Sequence, residues 1–387
     1  MALGETRHSC LLYVSPTTAK LPLMPQNPAE TPHIETPEKI GISHHKTAEK
    51  VDRRISVAPM MDWTDRHCRY CLRGFSPDTL LYTEMITAAA IARGDRARLL
   101  AFDPQEHPLA LQLGGSEPRE LAAAARAGEE AGYDEINLNC GCPSERVASG
   151  AFGACLMQEP ARVAECVAAM CAAVRVPVTV KMRIGVVNAA ARDVPRAVAH
   201  FTEGDFEALC DFAGSVCAAG CQVAIVHARQ AVLGGLSPKA NREIPPLRYE
   251  IVRRLKGVFP LLPIVVNGGL REPQAVLAAL GWCDGVMLGR EAYHRPFVLA
   301  QLQQALRPAG GALPSREALL ERMRAYAARE LAAGGRLAPI VRHMLGLYAG
   351  EPGAREYRRK LSEGARAAGA GAELFQRVIP GEARTTA

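Results

Sequence analysis

Eight short apolar runs, at 55–60, 80–83, 109–113, 135–138, 178–181, 223–227, 264–267 and 285–288, alternate with longer stretches rich in Ala and Arg. In the longer stretches, such as 117–132 and 159–174, apolar residues recur at helical spacing. Short apolar runs read as strands, and spacings of three and four read as helices. A strand followed by a helix and then another strand forces parallel pairing through crossover connections. The open alternative, a doubly wound sheet, normally carries Gly-x-Gly-x-x-Gly after its first strand. No such motif follows the first run. The expected class is α/β, an eight-unit (β/α)8 TIM barrel, with its chemistry at the carboxyl ends of the strands.

The flanks have a different character. Residues 1–50 are rich in Pro, Thr, Lys and His without periodicity, so a disordered tail is expected. The Glu residues after Ala29 argue against a transit peptide. Beyond the Pro308-Ala309-Gly310-Gly311 linker, Ser315 is a candidate N-cap for an amphipathic run to about Ala333. Further helices are expected around 339–348 and 354–364, with no strand signal. The division expected is a tail over 1–50, a barrel over 51–310 and a small helical domain over 311–380.

Composition removes several function classes. No stretch approaches the roughly 18 apolar residues that span a membrane. Leu11-Leu12-Tyr13-Val14 is too short for the apolar core of a signal peptide. A cytoplasmic protein is expected. Its 12 cysteines are scattered through 387 residues, a chain too long to need a disulfide scaffold, and read as reduced thiols. Cys68 and Cys71 form a C-x-x-C pair in a helical pattern, with no second pair at zinc-ligand spacing, so packing is expected and no metal. The formal charge is +6, and residues 314–387 hold 13 Lys/Arg against 8 Asp/Glu. A surplus concentrated in the last fifth of a chain is the footprint of a polyanion-binding surface.

The run Asn139-Cys140-Gly141-Cys142-Pro143-Ser144 follows the fourth strand directly. Gly and Pro shape a turn there, which places a thiol at the barrel mouth as a candidate proton donor or nucleophile. The other strand ends supply Pro59-Met60-Met61, Thr83-Glu84, Gln112, Lys181 with Arg183, His227, Asn267-Gly268-Gly269 and Gly289-Arg290. Each has a plain explanation singly, but together they converge on one mouth. Barrels often bind phosphate through the last two loops. Arg290 would add a charge-assisted contact. The expected ligand is a phosphorylated cofactor with its phosphate at the last two strands. FMN fits, with Lys181 at the N1/C2 side of the reduced ring and Gln112 on its pyrimidine edge.

The segments Ala58 to Asp65, Leu111-Gln112-Leu113-Gly114-Gly115, Asn139 to Ser144, Val180 to Gly185 and His227-Ala228-Arg229 resemble the tRNA-dihydrouridine synthases. The run Gly235 to Leu247 is similar to their DusA subfamily, and the resemblance covers about residues 52–380. It implies an FMN-containing barrel, a helical tRNA-binding domain and NADPH-driven reduction of uridine in the D-loop of tRNA, at positions 20 and 20a. It also implies Cys142 as proton donor and Pro59, Met60, Met61, Gln112, Lys181, His227, Asn267, Gly268, Gly269, Gly289 and Arg290 as the FMN site. Asn139, Lys239, Arg242, Arg355 and Arg358 match tRNA contacts. Met61, Cys140 and Met182 depart from the commoner Leu, Val and Thr, and the stretch 186–206 is longer than usual for the subfamily.

The implied chemistry adds hydride to C6 and a proton to C5 of uracil. A thiol suits the second task, because a pKa of roughly 8.5 leaves it mostly protonated at neutral pH. Asn139, on the same turn, could hold the substrate. Arg355, Arg358 and Arg359 are spaced to share one helix face. Three other readings stand beside this one: a Schiff-base enzyme with Lys181 as nucleophile, a non-catalytic RNA-binding barrel, and a flavoenzyme acting on a free pyrimidine. No obligate protein partner is inferred.

Overall fold

The computed structural model describes residues 51–144, 152–308 and 313–380. The tail expected over 1–50 and the linker residues Ala309, Gly310 and Gly311 lie outside them. The described strands are β1 (Ile55–Val57), β2 (Leu80–Tyr82), β3 (Ile86–Thr87), β4 (Leu109–Gly114), β5 (Glu135–Cys140), β6 (Val178–Arg183), β7 (Val186–Asn188), β8 (Ala224–His227), β9 (Ala231–Leu233), β10 (Ile264–Asn267) and β11 (Gly285–Leu288). Strands β1, β2, β4, β5, β6, β8, β10 and β11 pair in parallel in that order. The pairing of β11 back onto β1 closes an eight-stranded barrel. The fold is the expected (β/α)8 class.

Period two along each strand divides the core. Outward residues such as Leu111, Ile136, Leu138, Val180, Val226 and Val266 meet the surrounding helices. Inward residues Leu80, Tyr82, Ala110, Val223, Ile225, Val265 and Met287 fill the barrel itself. The barrel is therefore packed, and a ligand can enter only at an end.

Three differences from the sequence reading concern the mouth. Strand β1 stops at Val57, ahead of Pro59, which has no N–H to donate to a ladder. Strands β5 and β6 run on to Cys140 and Arg183, so Asn139 belongs to a strand, where it faces Lys181, and not to the turn that carries Cys142. Beyond β6 and β8, the short strands β7 and β9 form a separate parallel ribbon with Val186 opposite Ala231. The long stretch 186–206 thus supplies half of that ribbon. Val194, Val198 and Val232 give it a small core of its own.

After Pro314 the described residues form helices and turns. Ser315 accepts from the N–H of Ala318 and caps the helix Arg316–Ala332, as expected. The helix expected at 339–348 is instead a short one, Leu337–Val341, followed by turns to Gly350. Gly346 lies against the backbone of His294, where a Cβ would stand only 2.4 Å from the carbonyl oxygen. Helix Ala354–Gly364 follows, and Leu374–Arg377 adds a short helix the sequence did not signal. Tyr326 stacks on Tyr70 of the barrel helix Arg66–Arg73 at 4.0 Å. Asp65 accepts from Arg342 at 2.7 Å, so these helices share a continuous core with the barrel.

Candidate active site

The mouth is built from strand ends whose polar residues alternate with outward apolar ones. On β6, Lys181 and Arg183 point inward, one position apart in the period-two pattern. The Lys181 ammonium donates to Asn267 Oδ1 at 3.1 Å, and Asn267 Nδ2 donates to the Met287 carbonyl at 2.7 Å. Arg183 is buried and spans three segments. It donates to the carbonyls of Gly141 at 3.1 Å, Asn241 at 3.1 Å and Gln230 at 3.3 Å. His227 shares its level with Arg183 on one side and Asn267 on the other.

Among the described residues neither the Lys181 ammonium nor the Arg183 guanidinium is paired with a carboxylate, and both neighbour His227. Their titration reflects it. Burial, helped by Arg183, lowers Lys181 to about 7. Burial likewise lowers Arg183 to about 9. Burial followed by the fields of Arg183 and Lys181 pushes His227 well below its usual range. An enclosed group of cations without a counter-charge is a site prepared for an anion.

Cys142 stands just past β5, partly open to solvent. Its N–H donates to Asn139 Oδ1 at 3.0 Å, and the Gly141 N–H donates to the same oxygen at 3.1 Å. Its Sγ lies 3.4 Å from Ser144 Oγ. Cys140 faces the other way and is fully buried in the outer core. On β4, Gln112 is buried with its amide between Asn137 and Asn139.

The remaining predicted cofactor positions also lie at this end. Pro59, Met60 and Met61 follow β1 in a turn held by Thr64, whose hydroxyl accepts from the Met60 N–H at 2.9 Å. Met61 is 55% exposed. Gly268 and Gly269 have φ of +113° and +72°, angles that favour glycine. A Cβ on Gly268 would lie 2.6 Å from the His227 ring, and one on Gly269 2.3 Å from Leu247. Gly289 precedes the short helix Arg290–His294. Arg290 is not free: it pairs with Glu243 at 2.7 Å.

Over residues 56–380 the chain matches the family model described as Dihydrouridine synthase (Dus). The chain belongs to the dihydrouridine synthase family. Curated relatives include the tRNA-dihydrouridine(20/20a) synthases of Xanthomonas axonopodis pv. citri, 54% identical over 84% of this chain and 93% of that one, and of Pseudomonas syringae pv. tomato, 54% identical over 84% and 92%. The protein of the same description from Synechocystis is 51% identical over 84% and 93%. The chain is thus an enzyme of a flavoprotein family. No helix of the described residues is long and apolar enough to cross a membrane.

For this family member, the residues expected to meet RNA fall into two places. Asn139 is at the mouth, and Lys239 and Arg242 are exposed around the turn Ala240–Arg242 beside it. Buried Asn241 anchors that turn by bonding both polar groups of Val232. Arg355 and Arg358 are exposed on helix Ala354–Gly364, and no carboxylate pairs with either among the described residues. Arg359, expected on the same face, pairs instead with Glu363 at 3.1 Å.

Sequence reasoning missed Glu135, Asn137 and Thr179, which continue the inward row below Asn139 and Lys181. A signal was present, since Glu135, Asn137 and Asn139 put a polar residue at every second position of an otherwise apolar strand.

Proposed function

We propose that this enzyme is a flavin-dependent tRNA-dihydrouridine(20/20a) synthase, reducing the C5=C6 bond of uridine at positions 20 and 20a of the tRNA D-loop. FMN is its bound cofactor and NADPH its reductant, which suits work in the cytoplasm. The observation that carries this reading is a thiol, Cys142, standing beside enclosed cations that have no carboxylate partner among the described residues. Curated relatives over half identical along most of the chain bear that name.

The residues present suit FMN. Asn267, Gly268, Gly269, Gly289 and Arg290 would hold the phosphate, with Arg290 exchanging Glu243 for it. Lys181 would hold negative charge on the ring, and Gln112 its pyrimidine edge. Pro59, Met60, Met61 and His227 would complete the wall. When bound, FMN supplies to uracil C6 the hydride taken from NADPH. Cys142 gives its proton to C5, so one double bond is saturated per NADPH consumed, and the thiolate is reprotonated by solvent. Asn139 would hold the base.

A uridine inside folded tRNA must first be unstacked, which costs a few kcal/mol. Contacts from Lys239 and Arg242 at the mouth, and from Arg355 and Arg358 in the helical domain over 311–380, would offset that cost. The test is direct. Purified protein, NADPH and unmodified tRNA should yield dihydrouridine at positions 20 and 20a, mapped by mass spectrometry of nuclease fragments. Absence of dihydrouridine, or equal turnover of free uridine, would contradict the reading.

A further inference from the structure

The inward row of β4, β5 and β6 forms one unbroken chain of hydrogen bonds from the closed floor of the barrel to the cysteine turn. At the floor, Glu135 is ion-paired with Arg53 at 2.7 Å and fully buried. Thr179 Oγ1 donates to Glu135 Oε1 at 2.6 Å. Asn137 Nδ2 donates to Thr179 Oγ1, Gln112 Nε2 donates to Asn137 Oδ1, and Asn139 Nδ2 donates to Gln112 Oε1, each at 2.8 Å. Asn139 Oδ1 then accepts the N–H groups of Gly141 and Cys142.

A side-chain amide can be turned over at little cost, because its two ends have similar shapes and opposite hydrogen-bonding character. This chain does not allow it. A carboxylate engaged by Arg53 can only accept, and a backbone N–H can only donate. Between those two ends every link must run in one direction, so all three amides are fixed. One consequence reaches the mouth: the Asn139 oxygen is filled by two N–H groups, and a ligand can be offered only N–H. That suits a base edge carrying a carbonyl, as in uracil, and opposes the amino group of cytosine.

We infer that Thr179 and Asn137 are positioning residues: with Glu135 they fix the polarity of Asn139 and the placement of the Cys142 turn from the far end of the barrel. The inference rests on the proposed function only for its catalytic consequence; the ordering of the turn is a property of the chain alone. The first readout therefore needs neither cofactor nor substrate. In flavin-free protein, Thr179→Val keeps the side-chain shape and removes the link. Amide hydrogen exchange at Gly141 and Cys142, followed by mass spectrometry, should be about tenfold faster than in the wild type, as for loss of one buried hydrogen bond. Thr179→Ser should restore the wild-type rate. Tyr82→Phe removes another donor to the same Glu135 oxygen without cutting the chain. It should leave exchange unchanged.

In the loaded enzyme, Thr179→Val should lower kcat for uridine reduction per bound flavin about tenfold, since small misplacements of reacting groups carry costs of this size. The KM for tRNA and flavin reduction by NADPH should stay within about twofold. Asn137→Leu cuts the next link and carries the same expectations should Thr179→Val fold poorly. Wild-type exchange rates in both variants, no rescue by Ser, or faster exchange in Tyr82→Phe would overturn the inference. A wild-type protein that reduces no uridine would sink the proposed function and leave the exchange result standing.

Discussion

The two ends of the barrel treat charge in opposite ways. At the floor, Arg53 meets Glu135, whose other oxygen also takes hydrogen bonds from Tyr82 and Thr179. Burial works to lower Arg53, but Glu135 and Tyr82 outweigh it and its pKa is raised. At the mouth, Lys181 and Arg183 are lowered, because burial there outweighs the opposing field of Cys142 and no carboxylate among the described residues pairs with either. The same architecture pairs its buried charge with a carboxylate where it needs stability, and at the mouth leaves Lys181 and Arg183 with neutral acceptors. The mouth is the functional end.

The largest effect expected at the mouth concerns the thiol. Cys142→Ala should reduce dihydrouridine formation by about 10²–10⁴-fold, the usual contribution of a general acid, while flavin binding and NADPH oxidation by oxygen stay nearly intact. Cys140, buried on the outer face of the same strand, should tolerate Ala with little loss of turnover. Equal loss in the two variants would break the assignment.

The floor should respond in stability. Glu135→Ala strands Arg53, which is partly buried, and should cost about 3 kcal/mol in urea denaturation of the flavin-free protein. Lys181→Met removes an uncompensated charge and should cost nothing or stabilise. If both variants lose stability alike, the contrast between the ends is false.

The pH dependence has a definite sign. Lys181 titrates near 7 in the folded protein and near its ordinary value, above 10, when unfolded. Between these values the unfolded chain binds more protons, so stability rises with pH across that window and is lowest below pH 7. In flavin-free protein the gain should approach about 1 kcal/mol per pH unit above 7, and Lys181→Met should remove it. A Lys181→Met variant that keeps the full rise would place the titration elsewhere.

The smallest expected effect separates the arginines of helix Ala354–Gly364. Arg355→Ala with Arg358→Ala should weaken tRNA binding and flatten the slope of log affinity against log salt by a little under one unit per lost phosphate contact. Arg359→Ala should change less, since Glu363 already occupies that side chain. Parallel salt slopes with unchanged affinity would show that this face does not meet RNA.

Much of the architecture was legible because it depends on period and spacing. The eight barrel strands follow from short apolar runs separated by helical stretches, and Ser315 marks its helix through a side chain that caps it. What could not be read depends on contacts distant in sequence. Strands β7 and β9 hold two edges together only because β6 and β8 deliver them side by side. The helix expected through Tyr348 ends at Val341, and in the turns that follow Gly346 meets the backbone of His294. In the site, Cys142 and Lys181 stood out by residue type and strand position. Asn139 was assigned to the turn because the apolar run ends at Leu138, although its strand continues to Cys140. Asn137 was flagged only by the polar alternation of its strand, and Thr179 is an unremarkable strand residue until its neighbour on the adjacent strand is known.

The central claim is that the mouth holds a phosphorylated flavin, with its phosphate on the Gly268-Gly269 and Gly289-Arg290 loops. Titration of flavin-free protein with FMN and with riboflavin, followed by flavin fluorescence, tests it most directly, because the two ligands differ only in the phosphate. Charge-assisted hydrogen bonds contribute about 1.5–3 kcal/mol each, so FMN should bind at least about 100-fold more tightly. Equal affinity for the two flavins would contradict the account.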